Sequence, residues 1–210
     1  MKILILTNGS YGDYSFCNPD ESFDYIICAD RGLAHARVLG LMPNLIVGDF
    51  DSTNEVDLMY FKEQGVQIEA FDTHKDETDT EIAVSRAIQK GATEVTIYGG
   101  IGSRLDHSLA NIHLLYKLLK VGIKGKLVNP NNTVYLAESY VRIKGRKGDL
   151  VSLVPFAGSV TGVTTKSLVY PLKDAVIHIG TSLGISNVLE EDTAEIWLDE
   201  GIIIVIMAQD

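Results

Sequence analysis

The sequence predicts two units, an α/β unit followed by an all-β unit, and three observations carry that reading. Up to about residue 129, short apolar runs alternate with longer helix-like stretches. Each of those stretches ends next to a glycine, the residue that accepts the left-handed backbone of a helix end. Beyond Asn129 the runs become short, β-branched and separated by turns, with no room for a helix of normal length.

In the first part, the strand-like runs are Ile3–Leu6, Tyr25–Cys28, Leu45–Val47, Val66–Ala70, Val95–Tyr98 and Lys126–Val128. Helices are expected over Leu33–Leu39, Glu55–Gln64, Thr80–Lys90 and Leu105–Lys120, stopped at Gly40, Gly65, Gly91 and Gly122. Strand alternating with helix predicts a mostly parallel sheet covered on both faces, a Rossmann-like arrangement of three layers. In the second part the runs are Thr133–Ala137, Val141–Lys144, Leu150–Val154, Ser159–Val163, Ala175–Ile179, Ala194–Leu198 and Ile202–Met207, the pattern of a β-sandwich or barrel. The turn-rich Asn129-Pro130-Asn131-Asn132 places the boundary between domains 1–129 and 130–210. Trp197 and the tyrosines of the second part are expected to pack its interior.

Composition excludes several classes. The net charge of −10 argues against a nucleic-acid backbone as partner. No apolar run approaches the roughly 18 residues that cross a bilayer, and Met1–Thr7 is too short for a signal peptide, so a cytoplasmic protein is expected. Two cysteines, Cys17 and Cys28, build neither a disulfide framework nor a cysteine-rich zinc site; one loop thiol and one core thiol are expected.

Four polar motifs each follow a proposed parallel strand, where open α/β sheets bind ligands. Ala29-Asp30-Arg31-Gly32 offers Asp30 to a metal or ribose, or as a helix N-cap. In Gly48-Asp49-Phe50-Asp51-Ser52, extended backbone would aim Asp49 and Asp51 at one spot, and two like charges so placed call for a cation. Ser52 would cap the helix that follows. Lys75-Asp76-Glu77-Thr78-Asp79 has Thr78 and Glu81 at capping-box spacing, Asp76 and Asp79 on one face, and Lys75 available to a phosphate. Gly99-Gly100-Ile101-Gly102-Ser103-Arg104-Leu105-Asp106-His107 joins a glycine turn to a helix start, an anion-binding arrangement that is neither the dinucleotide fingerprint nor the P-loop. Arg104 and His107 suit phosphate oxygens there. Carboxylates without a cysteine partner suit Mg2+ shared with substrate phosphates, so phosphoryl-type transfer from a nucleotide is expected.

These motifs, in this order, resemble thiamine pyrophosphokinase, as do Thr165–Leu172 and Gly180–Asn187 in the second half. The resemblance spans essentially the whole chain. It implies transfer of the terminal diphosphate of ATP to thiamine, giving thiamine diphosphate and AMP. It also implies a homodimer with the active site at the subunit interface. Asp49, Asp51 and Asp76 are then the expected metal ligands. Asp79 and Asp106 join the catalytic set; Asp30, Lys75, Gly99, Gly102, Arg104 and His107 face ATP; Ser186 and Asn187 face thiamine. The first domain would bind ATP and Mg2+, the second thiamine and the other subunit. Arg31, Ser167 and Val188-Leu189 depart from the family's usual residues. Three alternatives share the motifs: a diphosphotransferase for another alcohol such as a pterin, a phosphohydrolase, and a non-catalytic nucleotide or thiamine sensor.

Overall fold

The computed structural model describes residues 1–17, 21–51 and 53–209 and divides into two compact units, Met1–Pro130 and Asn131–Asp210. Ser52, the expected cap, lies outside the described residues.

The first unit runs β1 (Lys2–Leu6), β2 (Tyr25–Ala29), α1 (Gly32–Val38), β3 (Leu45–Gly48), α2 (Glu55–Glu63), β4 (Gln67–Ala70), α3 (Asp79–Gln89), β5 (Glu94–Tyr98), α4 (Leu105–Lys120) and β6 (Lys124–Val128). Its strands pair in parallel in the order β6-β5-β1-β2-β3-β4. Central strands are apolar at consecutive positions because both faces are covered. In β1, Ile3 to Leu6 are at most 1% exposed. Leu4, Leu6, Cys28, Ile46 and Tyr98 share one cluster with Leu33 and Ala36 of α1 and Phe61 of α2. Helix α3 buries Ile82, Ala83, Val84 and Ala87 and packs on β1, β2 and β3. Burying one such aliphatic side chain contributes about 1.5–3 kcal/mol relative to exposure.

Helix ends follow the expected grammar with local departures. Gly65 and Gly91 take φ of +78° and +76° just beyond α2 and α3. Thr78 caps α3, its Oγ1 accepting the Glu81 N–H at 3.2 Å, while the Glu81 carboxylate turns to Lys117 of α4. Asn54 caps α2 through its side chain. The N-cap of α1 is Arg31, without a side-chain bond, so Asp30 is not the cap of that helix.

The second unit contains β7 (Asn132–Ala137), β8 (Tyr140–Lys144), β9 (Leu150–Pro155), β10 (Val160–Lys166), β11 (Ala175–Ile177), β12 (Asn187–Val188), β13 (Thr193–Trp197) and β14 (Ile203–Ala208). They pair antiparallel in two sets, β12-β9-β14-β7 and β11-β10-β13-β8. Val151, Leu153, Ile203 and Val205 from one set and Ile143, Val163, Ala194 and Ile196 from the other form a single buried cluster. Trp197 does not pack this interior. It is 37% exposed and lies against Tyr140 at 5.7 Å between ring centroids, because alternation on β13 turns Ala194 and Ile196 inward instead.

Candidate active site

The chain adds β2, β3 and β4 on one side of β1 and places β5 and β6 on the other. The order therefore reverses between β1 and β5, the kind of position where loops diverge and ligands enter. The four motifs all sit at the carboxyl ends of these strands.

Asp30 follows β2 with φ +46°. Its N–H donates to the Val47 carbonyl at 2.8 Å, and its carboxylate accepts the Thr53 hydroxyl at 2.6 Å. Gly48 makes this approach possible, since a Cβ there would lie 3.1 Å from the Asp30 Cα. The extended geometry expected for Asp49-Phe50-Asp51 is not adopted. Phe50 takes φ +60° and packs on the core of the first unit. Alternation is lost, Asp51 is exposed, and the Asp49 carboxylate accepts the Asp51 N–H at 3.3 Å.

Lys75 ties the neighbouring loops together. Its ammonium lies 2.9 Å from Asp79 Oδ1 and 3.8 Å from Asp49 Oδ2, and its side chain is only 16% exposed. Burial by itself would lower the lysine pKa, but close contact with the charged Asp79 carboxylate, with the charges of Asp49 and Asp30, more than offsets this and raises it. Burial raises the Asp79 pKa, and Asp49 and Asp30 add to the rise against the opposing pull of Lys75. Asp79 Oδ1 is buried and makes no well-aligned hydrogen bond among the described residues, so Lys75 meets it as an off-axis ion pair. Asp30, Asp49, Lys75 and Asp79 thus act on one another; Asp76 is exposed on the same loop.

The glycine turn is packed against the loop after β1. A Cβ on Gly9 would fall 1.9 Å from the Gly99 carbonyl oxygen, and Gly99 has φ +75° with the Tyr11 ring against it. Asn111 of α4 donates to the Gly100 carbonyl at 2.7 Å, and the Gly102 N–H is bonded to the Ser108 hydroxyl at 3.1 Å. Arg104 and Asp106 pair with each other at 2.7 Å on the surface, and His107 stands 4.0 Å from Asp106. Asp106 is held below the usual carboxylate range by Arg104. These three form their own exposed group.

Tyr11, Asn111, Ser108 and Thr53 escaped the sequence reading. His35, which carries no motif, stacks on Tyr11 at 3.6 Å and exchanges a hydrogen bond with Tyr14 at 2.8 Å. Cys28 is buried and Cys17 half-buried, with burial pushing the Cys17 thiol up to about 11.

In the second unit Ser186 is exposed with φ +55°. Asn187 is 3% exposed, and its amide is spent on backbone: Oδ1 accepts from Tyr170 N at 3.0 Å and Val188 N at 2.9 Å, and Nδ2 donates to the Tyr170 carbonyl at 2.7 Å. It therefore staples the loop after β10 to β12. Ser167, at the start of that loop, has φ +61°, the conformation that favours glycine. Asn187→Ala should cost roughly 2 kcal/mol by leaving both Tyr170 groups unpaired. Urea unfolding measures it, and an unchanged midpoint would contradict the assignment.

Among the described residues, no three His, Cys, Asp or Glu side chains form a ready cation cage. The gathered donors are hard carboxylate oxygens, one of them buried without a well-aligned hydrogen bond. Such a set fits a hard divalent cation that completes its coordination with phosphate and water.

Residues 19–127 match the family model described as thiamin pyrophosphokinase, catalytic domain, and residues 138–203 that described as thiamin pyrophosphokinase, vitamin B1 binding domain. The chain is 31% identical over 186 residues to thiamine pyrophosphokinase of Bacillus subtilis, spanning 88% of this chain and 87% of that one. It is 27% identical over 173 residues to thiamine pyrophosphokinase 1 of Oryza sativa, spanning 77% and 64%. A crystal structure of thiamine pyrophosphokinase from Bacillus subtilis superposes with a TM-score of 0.89 at 28% identity over 100% of both chains. That of thiamin pyrophosphokinase from Geobacillus thermodenitrificans gives 0.85 at 27%, over 100% of this chain and 98% of the other. With both family models in order along one chain, and with a relative this similar over this length, the chain belongs to the thiamine pyrophosphokinase family.

Proposed function

We propose that this protein transfers the terminal diphosphate of ATP to the hydroxyl of thiamine. The hydroxyl oxygen bonds to the β-phosphorus, the bond from that phosphorus to the α–β bridging oxygen breaks, AMP leaves, and the hydroxyl proton is released to solvent. The observation that carries this reading is the group of Asp30, Asp49, Lys75 and Asp79 at the ends of three adjacent parallel strands, in a chain of this family.

The first unit reads as a Rossmann-like three-layer domain that binds ATP and Mg2+, and the second as a β-sandwich that binds thiamine and a second subunit. Asp49 and Asp79 are the carboxylates we assign to Mg2+, with Asp51 and Asp76, exposed on the same loops, available once phosphates are present. The ion would neutralise charge on the transferred group. Lys75, the Gly99–Gly102 turn, Arg104 and His107 orient phosphates. Asp30, held by Thr53, and Asp106 border the path of the attacking hydroxyl. Ser186 faces thiamine, and Asn187 fixes the loop beside it. Catalysis is then mainly positioning and charge compensation. A cytosolic homodimer with its active site at the subunit interface completes the reading.

Chromatography of a mixture of protein, ATP, Mg2+ and thiamine tests it. Thiamine diphosphate and AMP in equal amounts are expected. ADP or free phosphate in their place would overturn it in favour of a kinase or hydrolase.

A further inference from the structure

Lys75 sits where a free cation would be expected to sit. Its ammonium is within 4 Å of oxygens from both Asp79 and Asp49, and Asp30 is near enough to act on it. The position is unusual on two physical grounds. Exposed lysines rarely hold one geometry, because the pair gains little in water and ordering the side chain costs entropy; this one is largely withdrawn from solvent. It also lies beside the first residue of α3, Asp79, where the helix dipole opposes a positive charge. The carboxylates must therefore be what holds it.

We propose that Lys75 is a positioning residue that serves as the resident counter-ion of the Asp49–Asp79 pair, excluding a free divalent cation until a nucleotide brings the metal with it. The inference rests on the proposed function for the identity of the nucleotide. A hydrated divalent ion arriving alone meets a positive charge already seated on the oxygens it needs, and among the described residues no closed cage offsets its dehydration. A polyphosphate changes both conditions. It supplies ligands to the metal and gives the ammonium other oxygens to pair with, which releases Asp79 Oδ1.

The test reads metal binding rather than turnover. Mn2+, whose free form is counted by electron paramagnetic resonance, is titrated without nucleotide into the wild type, Lys75→Met and Lys75→Arg. Lys75→Met should bind Mn2+ at least about tenfold more tightly than the wild type, equivalent to about 1.4 kcal/mol, and Lys75→Arg should behave as the wild type. Equal Mn2+ affinity in Lys75→Met and wild type would overturn the proposal. Should Lys75→Met fail to fold, thermal melting of the wild type decides. Mg2+ alone should leave the midpoint unmoved, whereas Mg2+ with a non-hydrolysable ATP analogue should raise it above the analogue with chelator. A rise with Mg2+ alone as large as with both would overturn the proposal. Neither readout requires product, so absence of thiamine diphosphate in the earlier assay would remove the proposed reaction and leave this result standing.

Discussion

Asp49→Asn should lower kcat by about a hundredfold or more while the protein remains folded. The asparagine keeps a side-chain oxygen for the Asp51 N–H, now accepted by the Asp49 carboxylate at 3.3 Å, so the loop retains its anchor. What disappears is the charge facing Lys75 and the phosphates. Loss of one preorganised electrostatic partner commonly costs about 10²–10³ in rate. Stability should change little, since Asp49 repels Asp79 as well as attracting Lys75. Steady-state kinetics beside circular dichroism separates the two effects. Turnover equal to wild type would remove Asp49 from the site.

Gly32→Ala should have the largest effect on stability. Helix propensity alone favours alanine by up to about 1 kcal/mol, so the two influences predict opposite signs. Here the added Cβ would lie 2.0 Å from the Leu6 carbonyl oxygen and 2.6 Å from its carbonyl carbon. Those are backbone atoms of β1, fixed between β2 and β5, and they cannot rotate aside as a flexible side chain would. Overpacking against such a wall costs roughly 3 kcal/mol, which for a chain of this size lowers the thermal midpoint by roughly 10 °C. Calorimetry gives the answer, and a midpoint at or above wild type would show that α1 shifts freely on the sheet. The glycine of the Ala29–Gly32 motif thus has a packing reason, whatever Asp30 does.

The regular elements were legible because their causes are local and repeated. Helix α4 was read as Leu105–Lys120, and β1, β5 and β6 within two residues of their observed starts, since apolar runs and glycine stops signal independently of tertiary context. The two-residue β12 was missed because nothing in Asn187-Val188 by itself marks a strand. Within the site, the error over Asp49 and Asp51 came from assuming that β3 continues past Gly48. One left-handed residue, Phe50, undoes a periodicity argument, and its ring packs on the core of the first unit. The partners of Lys75 were invisible for the same kind of reason. Asp79 lies four residues away, but Asp49 belongs to another strand's loop, and only the sheet order brings it near.

The contact of Gly9 with Gly99 bears on how this scaffold tolerates insertion and deletion. Two turns that meet backbone to backbone have no side chain between them to absorb a change of length. Adding or removing a residue in either turn displaces the other, along with the Tyr11 ring wedged beside them. A change of length in one turn therefore calls for a compensating change in the other.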